Sequence, residues 1–276
     1  MQYMIMNYLP TLFYLREYFF PRGCGGCGEA LLDSRDAFYG LCKDCRGLFT
    51  DVMTSENRCR ICGKPLITEK DTCLSCRKVT CRKDSCRESD TGKNESYNEW
   101  LVNLRSFFPY AGKFRAILGA YKFEKSLAVG NFLAFCLNSA IDNFDAETLK
   151  KAAWVPVPPR PGKIKKQGWD QIEYLALLLG REYRRSRGKT IILNGNMPGI
   201  PVNRCLKRLL SRSQKELNKE ERKTNLKGRI LCIKQPPETA ILFDDVITTG
   251  ATLNVCAAAL LEGGAKRVYG VSLFYD

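Results

Sequence analysis

The 276-residue chain is 45% hydrophobic and 26% charged, the balance of a folded globular protein and not of a disordered one. Its 44 Lys and Arg outnumber 29 Asp and Glu, and a formal charge of +15 points to a polyanionic partner such as nucleic acid or a phosphorylated metabolite. Histidine is absent, which excludes histidine triads, histidine metal ligands and an imidazole general base together.

Residues 4–20 are rich in Tyr, Leu, Phe and Ile, and their pattern predicts a short amphipathic helix packed on the body of the protein. This start lacks a basic n-region, and Asn7, Pro10, Arg16 and Glu17 interrupt its apolar run, so it does not read as a signal peptide. No run of about 18 apolar residues occurs, which argues against a membrane span and for a soluble, cytoplasmic protein.

Ten of the 14 cysteines fall between Cys24 and Cys86, mostly as C-x-x-C pairs. Four pairs stand out: Cys24 and Cys27, Cys42 and Cys45, Cys59 and Cys62, Cys73 and Cys76. Each pair makes a tight knuckle that offers two sulfurs to one side of a tetrahedral ion, and two knuckles complete a four-cysteine site. The array therefore predicts two successive zinc ribbons and about two structural zinc ions, in a reducing compartment. Cross-braced pairing, first with third, satisfies the same spacing, and Cys81 or Cys86 can replace Cys73 or Cys76. Cys136, Cys205, Cys232 and Cys256 sit in apolar or basic surroundings and read as packing residues.

The polar stretch 87–99 reads as a connection, which divides the chain into a module of residues 1–100 and a domain of residues 101–276. In the second part, Lys113–Phe135 has helical spacing with Gly119 and Gly130 as weak interruptions. Ala152–Pro158 is an apolar strand ending in prolines, and Gln171–Tyr183 carries the pattern of a helix with one buried face. Thr239–Phe243 predicts a buried strand, Leu253–Leu261 a helix and Arg267–Phe274 a final strand. Strand, loop, helix and strand in this order predict an α/β fold with a mainly parallel sheet.

Between that strand and that helix lies Ile241-Leu-Phe-Asp-Asp-Val-Ile-Thr-Thr-Gly-Ala-Thr252. Asp244 and Asp245 are placed to accept hydrogen bonds from vicinal hydroxyls such as those of a ribose. Thr248, Thr249 and Thr252 supply hydroxyl donors, and Gly250 and Ala251 open the backbone N–H groups of the turn to a phosphate. A plain capped turn needs one such residue, not five. Charge gathers on either side: residues 150–189 hold 11 basic and 3 acidic residues, as do residues 203–234, whereas residues 1–100 hold 15 and 14.

The DDVITTGAT segment closely resembles the phosphoribosyl-pyrophosphate (PRPP) signature of type I phosphoribosyltransferases. Several further pieces resemble the ComF-type competence proteins: the cysteine pairs, Tyr110-Ala-Gly followed by Tyr121-Lys-Phe, Val155–Gln171, and Lys207-Arg208 followed by Gln214 and Glu221-Arg222-Lys-Thr-Asn225-Leu. The likeness runs from about residue 20 to the end. Two stretches depart from it: Gln167-Gly-Trp-Asp-Gln171 replaces Arg-Gly-Phe-Asn-Gln, and Ser211-Arg-Ser-Gln214 lacks the proline that commonly precedes the glutamine.

The resemblance implies a type I phosphoribosyltransferase fold behind a double zinc ribbon, with PRPP and Mg²⁺ bound at Asp244–Thr252. It further implies Lys122 and Arg160 as contacts on the pyrophosphate side, and residues 205–226 as a mobile cover. Single-stranded DNA taken up in natural transformation and a competence-associated helicase are the implied partners. Backbone contacts to the strand are expected on the α/β part, with Trp169 and Tyr183 next to basic residues as base-stacking candidates. The alternative reading is an active phosphoribosyltransferase of nucleotide or nucleobase salvage with purely structural ribbons. PRPP chemistry needs its leaving pyrophosphate neutralised rather than a strong base, so a chain without histidine is compatible with either.

Overall fold

The apolar run at Thr239 and the last apolar run of the chain pair side by side and form the centre of a parallel sheet. The computed structural model describes residues 22–53, 57–59, 63–66, 68–74, 76–77, 103–186, 199–209, 229–248 and 250–276. The expected helix at 4–20, the connection at 87–99, Cys62, Cys81, Cys86, Thr249 and residues 210–228 lie outside the described residues.

In chain order the elements are α1 (Ser34–Tyr39), α2 (Lys43–Met53), β1 (Asn103–Pro109), α3 (Gly112–Lys122), α4 (Leu127–Ser139), α5 (Ala146–Lys150) and β2 (Ala152–Pro156). There follow α6 (Lys163–Gln167), α7 (Gln171–Ser186), β3 (Leu206–Arg208), β4 (Ile230–Cys232), β5 (Thr239–Ile247), α8 (Ala251–Glu262) and β6 (Arg267–Tyr275). A 3₁₀ turn at Ala140–Asn143 follows α4.

The main sheet has the order β1-β6-β5-β2, and each pairing is parallel. This is the parallel α/β arrangement that the sequence predicts. Its inner strands are buried on both faces, which is why they read as continuous apolar runs and not as alternation. β3 and β4 form a separate antiparallel pair.

Two differences from the sequence reading matter for the site. The helical stretch Lys113–Phe135 is broken into α3 and α4, and the break lies at Phe123–Ser126 instead of at a glycine. Lys125 adopts a left-handed backbone there, φ 55°, and ends the helical path. The cysteine-rich region also contains two helices, α1 and α2, where only short pieces were expected.

Both edges of the main sheet are covered. Beside β2, Trp154 N–H donates to the Pro201 carbonyl at 2.8 Å, and Asn203 N–H donates to the Trp154 carbonyl at the same distance. Beside β1 sits the knuckle at Gly63, so close that a Cβ there would lie 2.5 Å from the Arg105 Cα. With φ 68° and that contact, Gly63 admits no other residue without displacement. Covering in this way keeps the edges of the main sheet from recruiting another chain.

Candidate ligand cavity and cysteine centres

β2 stops where β5 continues. Their register ends at Pro156 opposite Phe243, while β5 stays paired with β6 as far as Ile247 opposite Tyr275. Val157 N–H makes one last bond to the Phe243 carbonyl, 3.1 Å, and the chain then turns away through prolines into α6. β5 turns the other way through Gly250, in the left-handed region with φ 71°, into α8. A crevice between the carboxyl ends of neighbouring parallel strands is where ligands of open α/β sheets bind. Here it is a cavity of about 730 Å³, lined by Arg160, Lys163, Lys166, Arg208, Asp244 and Thr252 among others.

Three of the expected site residues, Arg160, Asp244 and Thr252, thus face one cavity. Thr248 is exposed at the turn, Gly250 caps α8 and Ala251 begins it. Asp245 is buried and held from two sides: Lys122 Nζ lies 2.8 Å from its Oδ2, and Gln171 Nε2 donates to the same oxygen at 2.9 Å. Lys122 therefore reaches the site through Asp245. Asp244 forms no ion pair among the described residues, and burial together with the charge of Asp245 pushes its carboxyl up to about 8.

Sequence reasoning did not assign an individual role to Asp170, Gln171 or Arg208. Lys163 pairs with Asp170 at 2.5 Å and also donates to the Gln171 side chain. The second oxygen of Asp170 accepts from the backbone N–H of Ile172 and Glu173, so it caps α7 while orienting the lysine. Tyr121 donates to the Gln171 carbonyl and packs edge-on against Trp169. Trp169 is half-buried between Tyr121 and Tyr174, which is packing rather than an open stacking face. Asp170 and Gln171 were within reach of the sequence, since they end the Val155–Gln171 run. Arg208 was within reach only as part of the expected cover at residues 205–226, and it is the β3–β4 pair that brings it to the cavity.

Arg208 gives the cavity its electrostatic character. Burial and the neighbouring Arg160 both press its guanidinium below its ordinary pKa, and its Nε is buried without a hydrogen-bond partner among the described residues. Two guanidinium groups that repel each other, one with an unmet buried donor, form a place that an anion relieves.

The cysteines gather at the other end of the chain. The sulfurs of Cys24, Cys27, Cys42 and Cys45 lie within 4.8 Å of one another, and Cys27 and Cys42 are 3.7 Å apart. A tetrahedral zinc with bonds of about 2.3 Å would space its sulfurs about 3.8 Å apart, so the four fit one such ion. Cys59, Cys73 and Cys76 form a second group within the same limit. Consecutive pairs thus come together, rather than the first with the third.

The two centres repeat one local design, with their first knuckles 35 residues apart and their second knuckles 31. Cys24 N–H donates to the Glu29 carbonyl and Gly28 N–H to the Cys24 carbonyl, as Cys59 does to Lys64 and Gly63 to Cys59. Leu31 bonds back to Arg22 as Leu66 does to Asn57. Cys42 N–H points at the Cys24 sulfur, 3.3 Å, and Cys73 N–H at the Cys59 sulfur, 3.4 Å. Burial opposes ionisation of Cys24, but backbone N–H groups of Cys42, Cys27 and Gly26 outweigh it and bring the thiol down to about 7. Burial and the neighbouring thiols push Cys45 the other way. These cysteine groups are able to hold metal ions, and their all-sulfur donor sets suit structural zinc.

No helix among the described residues is long and apolar enough to cross a membrane. No family profile matches the chain. It is 28% identical over 237 residues to the competence protein ComFC of Streptococcus pneumoniae, across 84% of this chain and 86% of that protein. Together with paired cysteine clusters and a parallel α/β sheet, this similarity bears out the resemblance to ComF-type competence proteins.

Proposed function

We propose that this chain is a ComF-type protein of natural transformation, in which the cavity binds a PRPP-type phosphorylated ligand and the surrounding basic surface binds single-stranded DNA. The observation that carries the reading is the convergence of Arg160, Lys163, Lys166 and Arg208 on one cavity that also presents Asp244 and Thr252. Four cations lining one cavity suit a pyrophosphate or a DNA phosphate, and the carboxylates suit the ribose hydroxyls. Lys122 and Gln171 hold Asp245 with one oxygen engaged, leaving the other to accept. Mg²⁺ arriving with PRPP would neutralise part of the pyrophosphate charge, and Asp244 and Asp245 are the nearby oxygen donors for it. The two flanking segments with 11 basic and 3 acidic residues each extend positive charge beyond the cavity. A competence-associated helicase is the further partner suggested by the same resemblance, and the cytoplasm is the compartment where these ligands meet.

Calorimetry with PRPP and Mg²⁺ tests the ligand. Arg208→Ala removes the charged donor and should weaken binding roughly 10- to 100-fold, the scale of a hydrogen bond to a charged group. The double change of Asp244 and Asp245 to Ala should weaken it without unfolding the domain. Unchanged affinity in both variants would leave the loop as a simple turn. Turnover with a nucleobase would instead move the protein to salvage chemistry.

For DNA, affinity should fall with salt, at a log–log slope of about −0.7 per phosphate neutralised. Lys163 is engaged by Asp170 and Gln171, so charge reversal to Glu belongs at the exposed Lys165 and Lys166. Binding that ignores salt and that reversal, yet is lost with zinc, would place the strand on the ribbons.

A further inference from the structure

Phe123 is the most exposed large apolar side chain among the described residues, at 77%. Single exposed apolar residues are ordinary, but this one is held in an unusual way. It caps α3 directly after Lys122, whose amine is fixed on Asp245. Two residues later Lys125, in the left-handed region at φ 55°, donates from Nζ to the carbonyl of Gln167 on the cavity wall, 3.2 Å. Phe123 N–H bonds to Gly119 at 2.8 Å and Ser126 N–H to Ala120 at 3.0 Å, which pins the loop at both ends. The ring is thus carried on a short loop tied by Lys122 to Asp245, the neighbour of the cavity residue Asp244, and by Lys125 to Gln167 of the cavity wall. The exposed Phe38 and Phe135 are different, because each packs against Tyr39; Phe123 makes no ring contact among the described residues.

An exposed aromatic ring on a loop that two lysines tie to residues at a cation-lined cavity matches one chemistry well. A nucleotide offers a flat ring for the phenyl and a phosphate for the cations. Within a duplex that ring is stacked and hidden, whereas in a single strand it is free. We propose that Phe123 is a stacking platform for an unpaired base of single-stranded DNA whose adjoining phosphate is held by Lys122, Lys125 and the cavity cations. This rests on the single-strand reading given above and adds the place where a base, as distinct from the backbone, is gripped. Stacking on a phenyl ring accepts every base, so the grip is not sequence-specific.

The test compares the full zinc-containing chain with Phe123→Ala and Phe123→Trp by fluorescence anisotropy. Two probes are used, an oligothymidylate and an abasic oligomer of the same length and charge. Phe123→Ala should weaken oligothymidylate binding by about 5- to 100-fold, the scale of one base–aromatic stack. It should leave the abasic oligomer unchanged, and Phe123→Trp should retain or tighten binding to oligothymidylate. A side chain this exposed leaves the melting temperature unaltered, which is checked in parallel. If wild type and Phe123→Ala bind oligothymidylate equally, this inference is overturned while the single-strand reading stands. If the wild type binds neither oligomer, both are overturned.

Discussion

The two cysteine centres share a local hydrogen-bonding design but differ in what surrounds it. Leu31, Leu41, Cys45 and Phe49 of the first centre belong to the same buried cluster as β1, α3, α4 and the end of β6. Phe49 is its hub, with ring centroids 4.4 Å from Phe108, 4.8 Å from Phe114 and 5.0 Å from Phe132. Among the described residues the second centre buries only Cys59, Leu66, Cys73 and Cys76, in a cluster of its own. It reaches the sheet through the Gly63 contact and through cations. Arg58 donates to the Ser106 carbonyl and lies over Phe107, while Lys64 donates to the Asp276 carbonyl and lies over Tyr275. One ligand pattern therefore serves two ends. In the first centre metal adds to a hydrophobic interface; in the second it must replace one.

The largest consequence is mechanical. Phe49→Ala should lower global stability by about 3–5 kcal/mol, as truncation of a fully buried phenylalanine does. Leu66→Ala should disorder its own small cluster and leave the main unfolding transition where it is. Chemical denaturation of the zinc-containing protein separates the two, and equal losses would break the comparison. A smaller effect is expected from stepwise chelation followed by hydrogen exchange. Amides of residues 57–77 should lose protection first, and those of residues 22–53 only later, since apolar contacts hold them after the metal leaves. Simultaneous loss would mean that both centres depend on metal alike.

How far each centre was legible follows from the same contrast. The ligands could be read because tetrahedral coordination imposes a spacing on the sequence itself. The β5-to-α8 turn could be read because its apolar strand runs straight into Asp244, Asp245 and a Thr/Gly loop. The embedding of the first centre could not be read. Phe49 and Phe108 are 59 positions apart, and nothing local in α2 tells a core-facing phenylalanine from one that packs within a ribbon. The individual role of Arg208 escaped for a similar reason: its three-residue strand is too short for any periodicity, and its cavity is assembled from α6, α7 and β5. The α3–α4 break escaped because Gly119 and Gly130 look like the weak points, yet both lie inside helices. Packing explains Gly130, where a Cβ would meet the Tyr174 and Tyr121 rings at 2.8 and 2.9 Å.

The smallest expected effect sharpens the comparison through pH. Backbone N–H groups hold the Cys24 thiol at about 7 against its ordinary 9.0, so in metal-free protein the folded first centre favours the thiolate more than the unfolded chain does. A depressed folded value contributes stability that is fully present above the unfolded pKa. That stability is lost as pH falls through the folded one, so the window runs from about 9 down through about 7. In an Asp244→Ala background, which removes the opposing contribution of a carboxyl pushed up to about 8, chelator-treated, reduced protein should therefore melt at progressively lower temperature as the pH is taken down through this range. Cys24→Ser should flatten that dependence, because serine does not ionise there. The parallel change Cys59→Ser should leave it in place, since the second centre contributes little to the main transition once its metal is gone. Identical pH profiles with and without Cys24→Ser in that background would show that the N–H groups around Cys24 do not set this dependence. A profile flattened only by Cys59→Ser would assign it to the second centre and reverse the order drawn between the two.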